Sequence, residues 1–296
     1  MTDQQNRGVW IGLSGYVLWG LSPIFWKALN RVEAMDIVSW RVICTFIFVY
    51  ACDTILRYVK KEKTLFLPFD ENRLSIGGGI LIGFTCGRFV WAVESERVVE
   101  ASLGYFMNPL MNVFLGVVFL GEALRRAQWM AVIFAATGVL WLTISLGAFP
   151  WVSLTLAISF ALYGLIRKVA PASPLQGLKV ETSTLLIPAI FLVLLRGNAE
   201  SNLSGDTATL ILILLSGAVT GIPLLLFSSS AKRIPLSILG LLQYVTPTIQ
   251  FFLGVYAYNE TFDGNRLIGY CIIWSGLIIF AVDSFRLTSS TSESEK

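Results

Sequence analysis

Two stretches of the chain decide the fold, because the second repeats the first: residues 108–122 read NPLMNVFLGVVFLGE and residues 246–260 read TPTIQFFLGVYAYNE. Their shared proline, Phe-Leu-Gly-Val run and final glutamate recur at one constant offset, that from Pro109 to Pro247, and glycines on both sides recur at the same offset. Near the start of the chain, residues 18–21 (LWGL) resemble residues 162–165 (LYGL) at a slightly larger offset. So many matches at nearly one offset indicate an internal duplication of about half the chain.

The composition places both copies in a membrane. Of 296 residues, 55% are apolar and only 14% are charged, and the mean hydropathy is +0.71, whereas a soluble domain has about 25% charged residues. A helix needs roughly 20 apolar residues to cross the hydrocarbon core. The sequence therefore predicts an all-α polytopic membrane protein with ten transmembrane helices, at residues 9–26, 37–56, 75–93, 102–121, 128–146, 149–166, 180–195, 208–230, 235–258 and 266–285.

Each copy holds five spans, an odd number, so the second copy must be inverted in the membrane relative to the first. We expect two inverted five-helix repeats, residues 9–146 and 149–285, flanked by a polar N-terminus (residues 1–8) and a disordered polar tail (residues 286–296). Inverted repeats are typical of transporters, whose halves can open a central site to either side in turn. A duplication that only enlarged a scaffold is the alternative.

The distribution of Lys and Arg predicts the orientation. The loops on the side of the two termini hold most of the basic residues, with the largest cluster at residues 57–63. Because basic loops stay in the cytoplasm, we expect a multi-pass protein with cytoplasmic termini, and the resemblance described next implies the bacterial inner (plasma) membrane. A net charge of +3 gives no electrostatic footprint for nucleic acid.

The duplicated motif also resembles a known family. The P-x6-G-x5-E pattern that closes each half, with ten spans in a 5+5 repeat, resembles the EamA domains of the drug/metabolite transporter superfamily. Within it, the RarD group of permeases, named for a chloramphenicol-sensitivity phenotype, looks most similar to residues 89–122, 159–168, 177–182 and 239–255. The resemblance covers about residues 8–285 and implies a permease. It departs at Trp40, where the group tends to have a histidine, so no role of that histidine is carried over.

Two arginines inside the spans are candidate substrate contacts. An arginine in a span is costly and normally faces a cavity or a partner. Arg41 lies near the end of its span, where snorkelling to the interface is an equal alternative. Arg88 lies deeper, one turn before Trp91, and could bind a carboxylate or phosphate. A buried ion pair of Arg88 with Glu94 or Asp53 is the alternative.

The fourth and ninth spans contain matching polar stripes: Tyr105, Asn108 and Asn112 in the fourth, and Gln243, Tyr244 and Gln250 in the ninth. Residues three and four apart share one helix face, and a polar face does not point into lipid. These side chains either bind cargo or join helices. Helix breaks are predicted at Pro109 and Pro247, and a pair of interrupted spans at corresponding positions indicates a transporter site.

Aromatic side chains that could stack on a ligand form a third group of candidates: Trp19, Trp40, Trp91 and Tyr163. For each tryptophan, packing at the membrane interface is the stronger alternative. Trp91 gains support from the nearby Arg88, and Tyr163 gains support from its repeat match to Trp19.

Three glutamates near helix ends are candidates for a gate or for proton coupling: Glu94, Glu122 and Glu260. Glu122 and Glu260 are equivalent positions of the two copies, each close to a basic residue, so a helix cap or ion pair is the favoured interpretation. No carboxylate is expected deep within a span, which leaves proton coupling and counter-substrate exchange both open. Because the chain has no histidine, His-ligated metals and histidine triads are excluded. We expect no metal, no cofactor and no enzymatic activity.

Together these features predict a secondary transporter that moves a small organic metabolite by alternating access. The arginines favour a solute with a carboxylate or a zwitterion, amino-acid-like or drug-like. A non-transporting membrane receptor or scaffold is the alternative, and an intramembrane enzyme is the weakest one. The direction of transport and the oligomeric state stay open.

Overall fold

The chain forms a helical bundle in a computed structural model that describes residues 3–61, 69–197, 207–259 and 264–294. In chain order, the helices are α1 (Asp3–Ala28), α2 (Ala34–Lys60), α3 (Phe69–Glu94), α4 (Val98–Leu120), α5 (Arg126–Leu146), α6 (Trp151–Val169), α7 (Pro174–Arg196), α8 (Thr207–Ala231), α9 (Leu236–Gln243), α10 (Val245–Phe252) and α11 (Gly264–Ser294). A single π-helical turn, Leu253–Ala257, follows α10.

Ten segments of 18 to 26 residues in the described chain are long and apolar enough to cross a membrane, which confirms the predicted number. The short helices α9 and α10 and the π-helical turn together make the ninth span. Two helix boundaries in the second half of the chain differ from the prediction. Helix α7 begins six residues early because Ser173 caps it, accepting the Gln176 N–H at 3.3 Å. Helix α11 continues through residues 286–294, which corrects the predicted disordered tail, since no glycine or proline stops the helix there.

The two prolines of the repeat have different effects on their helices. The ninth span is broken at Tyr244, one turn before Pro247, because proline lacks an N–H and its ring clashes with the carbonyl four residues earlier. Helix α4, in contrast, runs unbroken through Pro109, so the prediction of a break at Pro109 is wrong. Packing against α5, α6 and α9 holds α4 straight enough to tolerate the loss of one hydrogen bond.

Close approaches of α5 and α11 show how the two repeats are related. A β-carbon built at Gly138 would lie 2.8 Å from the carbonyl oxygen of Gly269, and one built at Gly276 would lie 2.8 Å from that of Ala131. Gly138 and Gly276 are equivalent positions of the two repeats, and so are Ala131 and Gly269. The second contact is therefore the first with the repeats exchanged, as a two-fold relation between them requires.

The packing of the other helices follows the same exchange. When the repeats are exchanged, the contact of α1 with α8 becomes that of α6 with α3, and the contact of α2 with α8 becomes that of α7 with α3. The contact of α4 with α6 becomes that of α10 with α1, and all six contacts are present. Three further pairs, α2 with α7, α4 with α9 and α5 with α11, map onto themselves. Because each half holds five spans, this two-fold axis lies in the membrane plane. The fold is thus two inverted five-helix repeats, as predicted.

The two sides of the bundle are packed differently. We call the side on which α1 begins the terminal side, and the other the opposite side. The main apolar core lies in the terminal half and includes Tyr16, Tyr163, Phe227, Ile234 and Leu236, each at most 1% exposed. The terminal side is therefore closed by packed side chains, whereas the opposite side contains the cleft described next.

Candidate substrate-binding site

Half-buried and exposed residues of α1, α2, α3 and α4 meet on the opposite side of the bundle, and we call the region between them the cleft. Helix α1 packs on α8, α9 and α10, and α2 on α7 and α8, so neither covers α3 or α4 extensively. The cleft is lined by Trp26, Arg41, Cys86, Phe89 and Tyr105. These residues lie within eight positions of the opposite ends of their helices, a depth of up to about 12 Å at ~1.5 Å per residue.

Arg41 supplies the positive charge of the cleft. Its Nη2 donates to the Sγ of Cys86 at 3.2 Å, and its guanidinium carbon lies 5.4 Å from the centre of the Trp26 ring. Among the described residues, no carboxylate forms an ion pair with Arg41. A half-buried cation within a membrane span thus lacks a fixed anion in this part of the chain, and its donors remain available to a solute.

Aromatic rings line the cleft, and others lie in the apolar core on its terminal side. Tyr105 is 40% exposed although it shares a helix face with the buried Asn108, and its ring meets that of Phe89 edge-on at 5.8 Å. Towards the terminal side, Phe227 lies between Trp19, at 5.8 Å, and Tyr163, on which it stacks at 6.0 Å. Of the predicted residues, Arg41 and Tyr105 therefore lie in the cleft, whereas Trp19 and Tyr163 meet around Phe227 in the apolar core.

The amides of the two polar stripes join the repeats below the cleft. Asn112 Nδ2 donates to Asn108 Oδ1 at 2.9 Å and to Gln243 Oε1 at 3.0 Å. The hydroxyl of Tyr244 donates to the carbonyl of Phe106, its repeat partner, at 3.1 Å. These side chains are at most 6% exposed, so in this state they act as interhelical contacts. Gln250 lies closer to the cleft, where its Nε2 donates to the Trp19 carbonyl at 3.5 Å.

Arg88 and Trp91 lie apart from the cleft. Two helical positions separate Arg88 from Cys86, which turns the Arg88 side chain about 200° away from the cleft-facing thiol. The guanidinium carbon of Arg88 lies 5.0 Å from the Trp91 ring and 5.1 Å from that of Trp151. No described carboxylate pairs with it, neither Glu94 nor Asp53. This cluster has the composition of an interfacial aromatic belt.

The other predicted residues have separate surroundings. Trp40 packs with Leu29 and Leu212 between α1, α2 and α8, and its indole nitrogen is buried without a partner among the described residues. Glu94 is exposed at the end of α3. Glu122 accepts hydrogen bonds from the start of α9, as detailed below. Glu260 lies outside the described residues.

The sequence analysis missed two ion pairs within the spans, and the expectation of no such carboxylate is wrong. Glu181 Oε1 lies 3.1 Å from Arg167 Nη1, with both side chains at most 2% exposed, and Tyr163 donates to Glu181 Oε2 at 3.0 Å. Asp53 Oδ2 lies 2.6 Å from Lys179 Nζ and joins α2 to α7. The Ser-Pro-x-Gln capping sequence before α7 was the missed signal, because it places Glu181 and Lys179 inside the helix.

A comparison with protein families identifies the source of this architecture. The EamA-like transporter family matches the chain twice, over residues 6–144 and 149–282. This chain belongs to the EamA-like transporter family. The two matches divide the chain between α5 and α6. It is therefore a multi-pass bacterial-type membrane protein of a transporter family.

Curated relatives extend over nearly the whole chain. Protein RarD of Salmonella typhi is 40% identical over 95% of this chain and 96% of its own length. Protein RarD of Escherichia coli (strain K12) is 38% identical over 98% and 99%. A protein of Vibrio cholerae named as an uncharacterized transporter is 38% identical over 96% and 95%. A solved crystal structure shares the fold with a TM-score of 0.70, at 18% identity, over 92% of this chain and 97% of that chain.

Proposed function

We propose that this EamA-family protein is a secondary transporter that moves a small organic solute with a carboxylate, such as an amino-acid-like zwitterion or an acidic drug-like compound, by alternating access. The cleft between α1–α2 and α3–α4 is the substrate site. Arg41 binds the carboxylate, and the rings of Trp26, Phe89 and Tyr105 contact the remainder of the solute.

One observation supports this proposal more than any other: the guanidinium of Arg41 faces the cleft with no described carboxylate to neutralise it. An arginine within a span is stabilised when it gains an anion, and a guanidinium can bind a carboxylate through two parallel hydrogen bonds. The aromatic rings beside it favour flat or apolar groups. A solute with both features therefore satisfies the cleft best.

The inverted repeat supplies the mechanism. Two halves of similar structure can exchange conformations, so that the cleft on the opposite side closes as its counterpart on the terminal side opens. With basic loops on the terminal side, the positive-inside rule places both termini in the cytoplasm. The cleft of this conformation then opens to the outside of the inner membrane, and the gradient of the solute or of a coupled ion sets the direction.

Counterflow in proteoliposomes tests the proposal. Vesicles containing the protein are loaded with an unlabelled amino or organic acid, and uptake of the same labelled compound is followed across a panel of such solutes. We expect uptake of at least one carboxylate, and at least tenfold less uptake by Arg41→Gln, since a hydrogen-bonded charge pair contributes about 1.5–3 kcal/mol. Arg41→Lys should retain part of the activity because it keeps the charge.

Arg88→Gln is the matched control, because it removes another arginine within the spans, on the face of α3 that points away from the cleft. It should reach the same protein level and transport at near wild-type rate. Equal loss in Arg41→Gln and Arg88→Gln would contradict the assignment of the site. Absence of uptake for every carboxylate tested, with protein correctly inserted, would contradict the proposed substrate class.

A further inference from the structure

The turn between α8 and α9 is held on the terminal side by a carboxylate from the other repeat. Glu122, just after α4, accepts the backbone N–H of Leu236 at 2.6 Å and that of Ser237 at 2.8 Å, and also the Ser237 hydroxyl at 2.7 Å. The first N–H groups of a helix have no partner within the helix. Glu122 therefore caps α9 across the boundary between the repeats, with its charge at the positive end of the helix.

A lysine from α6 holds the other end of the same turn. Lys168 Nζ donates to the carbonyl of Ala231, the last residue of α8, at 3.2 Å, and to that of Ile234 in the turn, at 2.6 Å. The same ammonium lies 3.8 Å from Glu122 Oε1. Lys232, within the turn, donates in return to the Ala170 carbonyl after α6. The turn is thus clamped between α4 and α6 by opposite charges at opposite helix ends.

The equivalent turn on the opposite side, between α3 and α4, differs in its lysine partner. The N-cap residue of α4, Arg97, makes no side-chain cap, and Glu260, the repeat partner of Glu122, lies outside the described residues. At the offset that relates Trp19 to Tyr163, the repeat partner of Lys168 is Ile24, which is 52% exposed and cannot donate. Helix α6 packs on α8 and α9, whereas its partner α1 does not pack comparably on α3 or α4. Among the described residues, the lysine of the clamp is thus present on the terminal side and has no donor at the equivalent position on the opposite side.

We infer that Glu122 and Lys168 form a terminal latch, a pair of positioning residues that sets which side of the transporter is open. This inference rests on the alternating access proposed above and deepens it. While the latch is formed, α8 and α9 stay docked on α4 and α6, and the terminal side is closed. To open the terminal side, the turn must move away from Glu122 and Lys168, and both side chains then form hydrogen bonds with water instead.

Labelling of cysteines with a membrane-impermeant maleimide tests the latch without any substrate. One variant keeps only Cys86, in the cleft on the opposite side. A second has Cys86→Ser and one introduced cysteine, Ser228→Cys, at a position that is 0% exposed and three residues before the end of α8. In both, the three other native cysteines, at positions 44, 52 and 271, are replaced by serine. Labelling rates are measured from each side of the membrane.

Lys168→Met removes the ammonium but retains most of the side chain. We expect labelling of the cysteine at position 228 from the terminal side to rise about tenfold, because a hydrogen bond to a charged group is worth roughly that factor. Labelling of Cys86 from the opposite side should fall at the same time. Lys168→Arg, which keeps the charge and donors, should restore both rates, and Glu122→Gln should act in the same direction as Lys168→Met.

Arg125→Met is the matched control. It also removes a cation on the terminal side, but Arg125 pairs with Asp283 of α11 at 2.8 Å and does not touch the α8–α9 turn. Its labelling rates should equal those of the parent. The inference is overturned if Lys168→Met and Glu122→Gln leave both rates unchanged, or if they raise both, since that would mean general loosening. Failure of the counterflow experiment would instead concern the substrate site and leave these rates unaffected.

Discussion

Arg167 and Glu181 are the most completely buried of the ion pairs formed by described residues, at 2% and 1% exposure. The guanidinium also donates to the Pro174 carbonyl at 2.7 Å, which ties α6 to the start of α7. Replacing one partner of such a pair leaves a buried charge uncompensated. We expect Glu181→Gln to lower the free energy of unfolding by about 3–5 kcal/mol, seen as a lower thermal midpoint in detergent.

The double variant Glu181→Gln with Arg167→Met checks this explanation. Because it removes both charges, it should be more stable than Glu181→Gln alone, even though it differs from the wild type at one more position. If the losses of the two single variants simply add, the pair is not coupled, and the destabilisation has another cause. The mutant cycle thus separates an ion pair from ordinary packing.

Single residues are also where prediction from the sequence reached its limit. Arg41, Tyr105, Trp19 and Tyr163 could each be proposed from residue type, helical spacing or repeat matches, but the sequence does not say which of the candidates meet. Arg88 could not be excluded, because a hydropathy pattern does not give the rotation of a helix about its axis. Glu181 was missed for a similar reason: an error of six residues at the start of α7 moves it from the helix interior to a helix end.

At the scale of helices, the contact between α5 and α11 depends on glycines that allow the backbones to approach. A β-carbon at Gly138 would lie 2.8 Å from the Gly269 carbonyl oxygen and within 2.6 Å of the Ile273 side chain. Gly138→Ala should therefore force the two helices apart and cost about 1–3 kcal/mol. Gly276→Ala should cost a similar amount, because it meets the Ala131 carbonyl in the symmetry-related contact. Thermal unfolding in detergent measures both.

Gly87→Ala, in α3, is the control for these variants, since a β-carbon there would have no neighbour within 4 Å. It should be neutral or stabilising by up to about 1 kcal/mol, because alanine restricts the unfolded chain more than glycine does. A loss at Gly87 equal to that at Gly138 would mean that helix packing does not explain the effect.

Helix breaks illustrate what the sequence could predict about elements. Pro109 and Pro247 occupy equivalent positions, so sequence reasoning treats them alike, yet only the ninth span is broken. The difference comes from the neighbours: α4 is packed along its length by α5, α6 and α9, while the stretch around Tyr244 passes from α4 and α8 to α1. A local rule for proline cannot include contacts between helices that lie far apart in the sequence.

At the scale of the whole molecule, the apolar segments and the constant offset between the two copies together predicted ten helices in two inverted halves. It could not predict which side would be closed, because the two halves specify both arrangements through nearly the same contacts. That choice depends on the residues in which the halves differ. Lys168 and Ile24 are such a pair, as are Tyr163, which donates to Glu181, and Trp19, its repeat partner.

Orientation in the membrane is the remaining property of the whole molecule, and the structure changes the charge balance that determines it. Arg167 and Lys179, predicted to lie in loops, are buried in ion pairs, and burial lowers the pKa of Lys232, with Arg167 and Lys168 adding to the effect. The bias then depends on the exposed cations of the terminal side, of which Arg126 is one. These cations remain in excess over those of the opposite side, which predicts cytoplasmic termini.

Fusions to the C-terminus test this orientation. We expect a fluorescent protein fused after Lys296 to fluoresce, because it does so in the cytoplasm. Alkaline phosphatase fused at the same place should be inactive, because it is active only outside the cytoplasm. In the same cells, Cys86 should react with an impermeant maleimide added outside. An active phosphatase fusion would place the terminal side outside and reverse the direction in which the cleft opens.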